Sequence, residues 1–506
     1  MNRKELVGFL LAFIIAIAAV SAQTQANTRG QNVAVTQPPE NAVARDVRRG
    51  EIAPAVKCAA KPEQSYALYV PLHYSPEKGW PVVYVFDPGA RGIAPLEKMK
   101  EAAERYGYIV VASNNSHNGP WKPQIEAAQA MWEDTHAWLA IDDRRVHFAG
   151  FSGGARTATM MAQMCKCANG VFLNGAGFAA GSPPTRETGF AVFATAGLTD
   201  FNYNELVDLD FKLDALAVSH FLRRFDGSHQ WAPADVWDEG FAWMGLVGMQ
   251  NGRWPRDEQF IAAELASALQ RAQKLEESGA HYFAWQDYRE VSATFRDLTN
   301  NRSADEHVAA LEKNPAVRLE QKSEAKEIDE QLRLQNEVMS LVGQMRDPNR
   351  EEPNNDQASN RQTPGMDGGD PETQALNAIR RMREQTAKEK RPEKRRAFER
   401  ATGGVFIGLL ETGQSALEAN RLNLARTYLQ LAAEARPDWP RVHLTLANCL
   451  TRMGDRKAAL RSLRKARDAG LSGQELANWS KQTPEMEALS SDPEFQKLIA
   501  EPPAKD

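Results

Sequence analysis

Residues 144–164 read RRVHFAGFSGGARTATMMAQM, and the fold turns on this stretch. Its first half, Arg145 to Ala149, has the short β-branched and aromatic character of a buried strand. Its second half, ARTATMMAQM, is rich in helix formers. Between them stands Gly150-Phe151-Ser152-Gly153-Gly154, a G-x-S-x-G pattern at a strand-to-helix junction. Glycines around the serine permit a turn too sharp for side chains, with the hydroxyl raised at its apex. The helix that follows points its N-terminus at that hydroxyl and favours negative charge there. The competing reading makes Ser152 an ordinary helix N-cap.

Outward from this turn, strand and helix signals alternate from about residue 62 to 250. ALYVP (67–71), PVVYVF (81–86), YIVVAS (108–113), VFLNGA (171–176), FAVFATA (190–196) and HFLRRF (220–225) read as strands. PLEKMKEAAERYG and residues 123–140 read as helices between them. Continuous apolar strands separated by helices predict a mostly parallel sheet covered on both faces.

A serine hydroxyl is a poor nucleophile without a base. An acid and then a histidine are expected after it in the chain. Asp200, in GLTDF, follows the strand FAVFATA, where an α/β sheet places its site at the strands' carboxyl ends. His229, in DGSHQW, lies just past HFLRRF. In this reading His229 takes the Ser152 proton, and Asp200 fixes the ring and stabilises the imidazolium. The alternatives make Asp200 a cap for the helix beginning near Asn204 and His229 a surface loop residue. Asp208, Asp210 and Asp214 fall on that next helix. His147 lies inside a strand, His220 at a helix end and His136 on a helix. The oxyanion formed on attack needs two N–H donors. Gly153, after the nucleophile, is expected to supply one. Gly89 or Ala90, in the loop FDPGARG, is expected to supply the other, since Pro88 has no N–H. A plain glycine-rich turn is the alternative for that loop.

YALYVP, VFDPGARG, SNNSHNGP, GFSGGAR, GLTDFNY and GSHQW together resemble bacterial dienelactone-hydrolase-like and polyhydroxybutyrate-depolymerase or feruloyl-esterase-like α/β-hydrolases. The resemblance covers about residues 55–250. It implies an α/β-hydrolase fold, a Ser152–His229–Asp200 triad and esterase-type activity with no metal and no organic cofactor, on a small-molecule or polymer ester. The chain departs from it in having FDPGARG where relatives carry an H-G-type motif, and it shows no cap insertion between the late strands. Asn114, Asn115, His117 and Trp121 are candidates for the pocket or, equally, turn and cap residues.

Beyond about residue 255 strand signals vanish, and Ala, Leu and charged residues dominate. Residues 255–345 are expected to be helical, with a charged amphipathic helix over 318–345, and 346–376 to be a linker rich in Pro, Asn, Asp and Gly. Over 377–506 a spacing of about 34 residues relates Gly413, Ala416, Ala425, Leu429, Ala432 and Pro437 to Ala447, Leu450, Ala459, Leu463 and Ala466. That pattern resembles tetratricopeptide repeats and implies a protein partner held on the helical domain; a plain helical bundle is the alternative.

At the other end, Arg3 and Lys4 precede an apolar run from Leu6 to Val20, and Val20-Ser21-Ala22 follows. This is the pattern of a secretory signal peptide over residues 1–22, with cleavage after Ala22 and a periplasmic or secreted product. An uncleaved anchor is the alternative, and no other membrane contact is expected. Residues 23–52 read as a disordered leader, and 53–252 as the catalytic domain. An oxidising compartment permits disulfides, and Cys58 could pair with Cys165 or Cys167, but the sequence does not fix the pairing; Cys449 reads as a small core residue. A net charge of −5 on 506 residues gives no basis for nucleic-acid binding.

Overall fold

The computed structural model describes Arg45, residues 47–345 and residues 370–500. The signal-peptide reading, most of the leader and most of the linker lie outside these residues. The described part of the leader is not loose. Arg45 forms two 2.6 Å bonds to the Asp134 carboxylate, and the first strand begins at Ile52.

β1 (Ile52–Lys57) and β2 (Ser65–Tyr69) are antiparallel. Then come β3 (Trp80–Phe86), α1 (Ile93–Tyr106), β4 (Ile109–Ser113), α2 (Trp121–His136) and β5 (Ile141–Phe151). α3 (Gly153–Cys165), β6 (Ala168–Asn174), β7 (Ala191–Gly197), α4 (Tyr203–Leu216), β8 (His220–Phe225) and α5 (Ala234–Gln250) complete the alternation. The eight strands lie in the order β1-β2-β4-β3-β5-β6-β7-β8, with every pairing from β4 to β8 parallel. All residues of β3, β4, β6 and β7 are buried, as strands covered on both faces must be. Phe172, Phe193, Trp237 and Phe241 pack on one face. Each such side chain contributes about 1.5–3 kcal/mol on burial. This order, with helices on both faces and a serine turn after β5, is the α/β-hydrolase architecture.

An all-α region follows. α6 (Glu258–Glu277) starts where the Asp257 carboxylate accepts from the N–H groups of Gln259 and Phe260. α7 (His281–Phe295) and α8 (Arg302–Leu311) follow, and α7 is fastened to the sheet. Arg223 of β8 donates to Asp287 of α7 at 3.0 Å and to Glu239 of α5 at 2.7 Å. The chain divides into two compact units between Lys322 and Ser323. That division falls inside one 29-residue helix, α9 (Pro315–Gly343), and not at the expected linker.

In the second unit, α10 (Pro371–Lys388) starts on Asp370, whose side chain accepts from Thr373 N–H, so residues 371–376 are helix and not linker. α11 (Pro392–Glu418), α12 (Leu422–Ala435), α13 (Pro440–Arg452) and α14 (Arg456–Asp468) pack successively against one another. The small residues of the 34-residue pattern are their contacts: Ala416, Ala425, Ala432, Ala447, Ala459 and Ala466 are fully buried. A Cβ on Gly413 would come within 2.9 Å of Leu429. α15 (Gly473–Gln482), a 3₁₀ turn (Pro484–Leu489) and α16 (Pro493–Ala500) close this unit. No helix among the described residues is long and apolar enough to cross a membrane.

The structure fixes the pairing that the sequence left open. Cys165 and Cys167 are bonded to each other, and Cys58 is free and buried. Lys166 between the bonded pair takes a left-handed φ of 54°, which ends α3 and turns the two thiols together. Cys449 is buried in the helical core, as expected.

Candidate active site

Ser152 sits between β5 and α3 at φ 53°, ψ −123°, a conformation L-residues avoid at a cost of about 1–3 kcal/mol. The surroundings impose it. Ser152 N–H donates to Asn174 O at 2.8 Å. A Cβ on Gly150 would lie 2.0 Å from Gly154 O, and one on Gly154 would lie 2.0 Å from Phe86 O. The helix therefore starts too close to β3 and β5 for any side chain at those two positions. Ser152 occupies the N-cap position, yet its hydroxyl makes no capping bond. The reading of this serine as a helix cap is thereby removed.

Asp200 follows β7 and is 1% exposed. Its Oδ1 lies 2.9 Å and its Oδ2 3.0 Å from His229 Nδ1. Oδ1 also accepts from Asn202 N–H at 2.8 Å, so the carboxylate is oriented from its own chain as well. The His229 ring lies between Phe151 and Phe201, at centroid distances of 4.6 and 4.1 Å. Gly175 closes the floor: at φ 66°, its missing Cβ would be 3.0 Å from Asp200 Oδ2 and 3.2 Å from His229 Cε1. Asp200 and His229, placed after β7 and β8, are thus joined to each other, and the His229 ring packs on Phe151 of the serine turn that follows β5. Among the described residues, Ser152 Oγ and His229 Nε2 carry no hydrogen bond.

Two further buried residues hold this arrangement. Asn174, at the end of β6, accepts from Ser152 N–H through its carbonyl. Its side chain accepts from Ala232 N–H at 2.7 Å and donates to Gln230 O at 2.8 Å. One residue so ties the serine turn to the histidine loop. Asp87, after β3, accepts from Gly89 N–H, from two Arg91 nitrogens and from Trp231 Nε1, at 2.8–2.9 Å. Neither was singled out from the sequence. The signal for Asp87 was its place in FDPGARG, with an Arg one helical turn on.

The donor expectations need a correction. Gly89 N–H points at Asp87 Oδ1, 2.8 Å away, and Ala90 N–H at Asp87 O, 3.1 Å away. Both amides are engaged inside their own turn. Gly153 N–H lies in the first turn of α3, where amides have no helical partner. Asn114 and Asn115 are turn residues: they bond Pro54 O, Ser65 N–H and Glu63 O across β1 and β2. His117 and Trp121 are exposed, and His117 pairs with Gly89 in an isolated bridge. The residue of this loop that reaches the serine turn is Asn118. A Cβ on Gly153 would lie 1.8 Å from its Oδ1.

The remaining histidines serve elsewhere. Burial pushes the His147 imidazole down to about 3. His136 stacks on Trp132 at 4.0 Å. His220 opens β8; burial pulls it down, but Asp210, the Val218 carbonyl and Glu290 outweigh this and hold it up at about 8. Among the described residues, no three His, Cys, Asp or Glu side chains gather to hold a metal ion.

No protein-family model and no curated protein matches the chain. Among solved structures, an S-formylglutathione hydrolase from Staphylococcus aureus is similar at 13% identity and a TM-score of 0.31, over 40% of this chain and 99% of that one. The esterase LipW from Mycobacterium marinum is similar at 16% identity and a TM-score of 0.31, over 49% and 91%. A ferulic acid esterase shares 17% identity at a TM-score of 0.31, over 38% and 94%. The fold described above rests on strand order and on the turn at Ser152.

Proposed function

We propose that the chain is a serine hydrolase acting on carboxylic esters through Ser152, His229 and Asp200. One observation carries the reading: a serine held at φ 53° on a strand-to-helix turn, beside a histidine bonded to a buried aspartate. Such strain persists where the fold over-determines it, and it collects at reacting centres. As an ester seats, Ser152 and His229 close to hydrogen-bond distance, as catalytic contacts do in substrate complexes. Ser152 Oγ adds to the carbonyl carbon and its proton passes to His229 Nε2. Collapse of the adduct expels the alcohol, which takes that proton, and leaves an acyl-enzyme. Water activated by His229 then releases the acid. Asp200, buried and bonded to Nδ1, stabilises the imidazolium in both halves.

The test is labelling by a fluorophosphonate, followed by turnover of short p-nitrophenyl esters and of peptides. Labelling that persists in Ser152→Ala removes the assignment; faster turnover of peptides than of esters moves it to a peptidase. The export reading belongs with this proposal and rests on the N-terminal pattern of charge, apolar run and small residues. N-terminal sequencing and fractionation of the product in a secreting host check it: a start at Met1 refutes cleavage, and retention in the cytoplasm refutes export.

The second unit supports a companion reading as a repeat-type platform for a protein partner. Leu376, Leu431, Leu446, Leu450 and Arg461 line a groove of about 1290 Å³ on its helices. A partner held by Ser152→Ala but released by Leu450→Glu supports it; a partner held equally by both removes the groove from the account.

A further inference from the structure

We propose that the side-chain amide of Asn118 is the second oxyanion donor, in the place a loop backbone amide after β3 would fill. The proposal rests on the serine-hydrolase reading. It begins from an elimination. Two N–H groups are required where the carbonyl oxygen becomes negative, and Gly153 N–H is one of them. The loop after β3 has no N–H at Pro88, and its Gly89 and Ala90 N–H groups are held by Asp87. The carboxylate that holds the Gly89 N–H is itself fixed in place by Arg91 and Trp231.

The loop after β4 supplies the replacement. Its backbone is fixed against the loop after β3, with Asn118 N–H donating to Pro88 O at 2.9 Å and His117 bridged to Gly89. That fixture lays the Asn118 carboxamide over Gly153, where a Cβ would stand 1.8 Å from Oδ1 and 3.2 Å from Nδ2, so a half-turn of the carboxamide brings the N–H groups to the near side. Glycine at 153 therefore does more than ease the turn: it makes room for this side chain. The carboxamide makes no hydrogen bond among the described residues, so its two N–H groups are free to turn toward a reacting carbonyl. As Ser152 Oγ bonds to carbon, the carbonyl π pair moves onto oxygen. Gly153 N–H and Asn118 Nδ2–H then share that charge, until the C=O re-forms and the alcohol leaves.

The test is steady-state turnover of p-nitrophenyl acetate by the full chain and its Asn118→Ala and Asn118→Asp variants, with Ser152→Ala as background. Loss of one such donor lowers kcat by about 100- to 1000-fold. KM should change little, because the bond strengthens with the charge. Asn118→Asp keeps the shape and removes the donor, so it should lose at least as much. The melting temperature should not move, since the side chain is exposed and bonds nothing in the protein. Retention of wild-type kcat by either folded variant overturns the proposal while the hydrolase reading stands. A wild type without Ser152-dependent turnover overturns that reading and this proposal with it.

Discussion

Gly175→Ala places one methyl group under the paired side chains of Asp200 and His229. The glycine is at φ 66°, so an alanine there costs about 1–2 kcal/mol of backbone strain. Its Cβ would stand 3.0 Å from Asp200 Oδ2, 3.0 Å from Phe151 Cε2 and 3.2 Å from His229 Cε1. Ordinary carbon contacts need roughly 3.5–4.0 Å, so each neighbour must retreat by several tenths of an ångström. Phe151 precedes the nucleophile, and its ring packs on His229 at 4.6 Å. The retreat thus moves base and nucleophile apart, with the carboxylate pushed off Nδ1. A misplacement near 1 Å costs on the order of 100-fold in rate. The shift here is smaller, and kcat on a short ester should fall about 10- to 100-fold with KM little changed. Fluorophosphonate labelling should slow in step. Urea unfolding should show a loss of about 1–2 kcal/mol, far too small to empty the native state at 25 °C. A variant that labels and turns over within twofold of wild type would refute the convergence of these groups as a working site.

Asp200→Asn should keep the fold and lower the labelling rate by about 1000- to 10,000-fold, because an amide neither fixes the ring's tautomer nor balances its charge; labelling at the wild-type rate would exclude Asp200 from the machinery. His220 is held at about 8, above its ordinary 6.5, so its contribution is complete below pH 6.5 and is lost as pH rises through 8. His220→Gln should therefore cost about 2 kcal/mol more at pH 6 than at pH 9 in urea titrations; an equal cost at both would show the Asp210 pairing to be idle. The Cys165–Cys167 bond closes a ring of very few residues, so Cys165→Ser with Cys167→Ser should cost at most about 2 kcal/mol. A melting curve showing collapse of the fold would show that the bridge does more than close its own small loop.

How far the sequence carried depended on what each feature requires. The core strands from β3 to β8 were legible because burial on both faces leaves uninterrupted apolar runs. β1 was missed because IAPAVK is half exposed and carries no such run. The Asp200–His229 pair and the turn at Ser152 were legible because parallel topology delivers every strand's carboxyl end to one rim. The donor amides were not, because their direction is set by a carboxylate two residues away, and composition is silent on which way an amide points. In SNNSHNGP three asparagines look alike; backbone bonds to β1 and β2 assign two of them to the turn and leave Asn118 facing Gly153. The cysteine pairing depended on a single left-handed residue, Lys166. The division between Lys322 and Ser323 left no mark in the sequence because α9 crosses it without a break in helical pattern.

The junction of Asn174 and Gly175 has one more consequence, for chemical lifetime. An Asn-Gly pair in a loose peptide is the sequence most prone to cyclise to a succinimide and age to isoaspartate. Here the reacting nitrogen of Gly175 is tied to Thr195 O at 3.0 Å, and the Asn174 carboxamide is pinned at both ends. Cyclisation therefore waits on local opening of the β6 terminus. Stored protein should lose activity in proportion to a one-dalton gain at residue 174, and faster in mild denaturant.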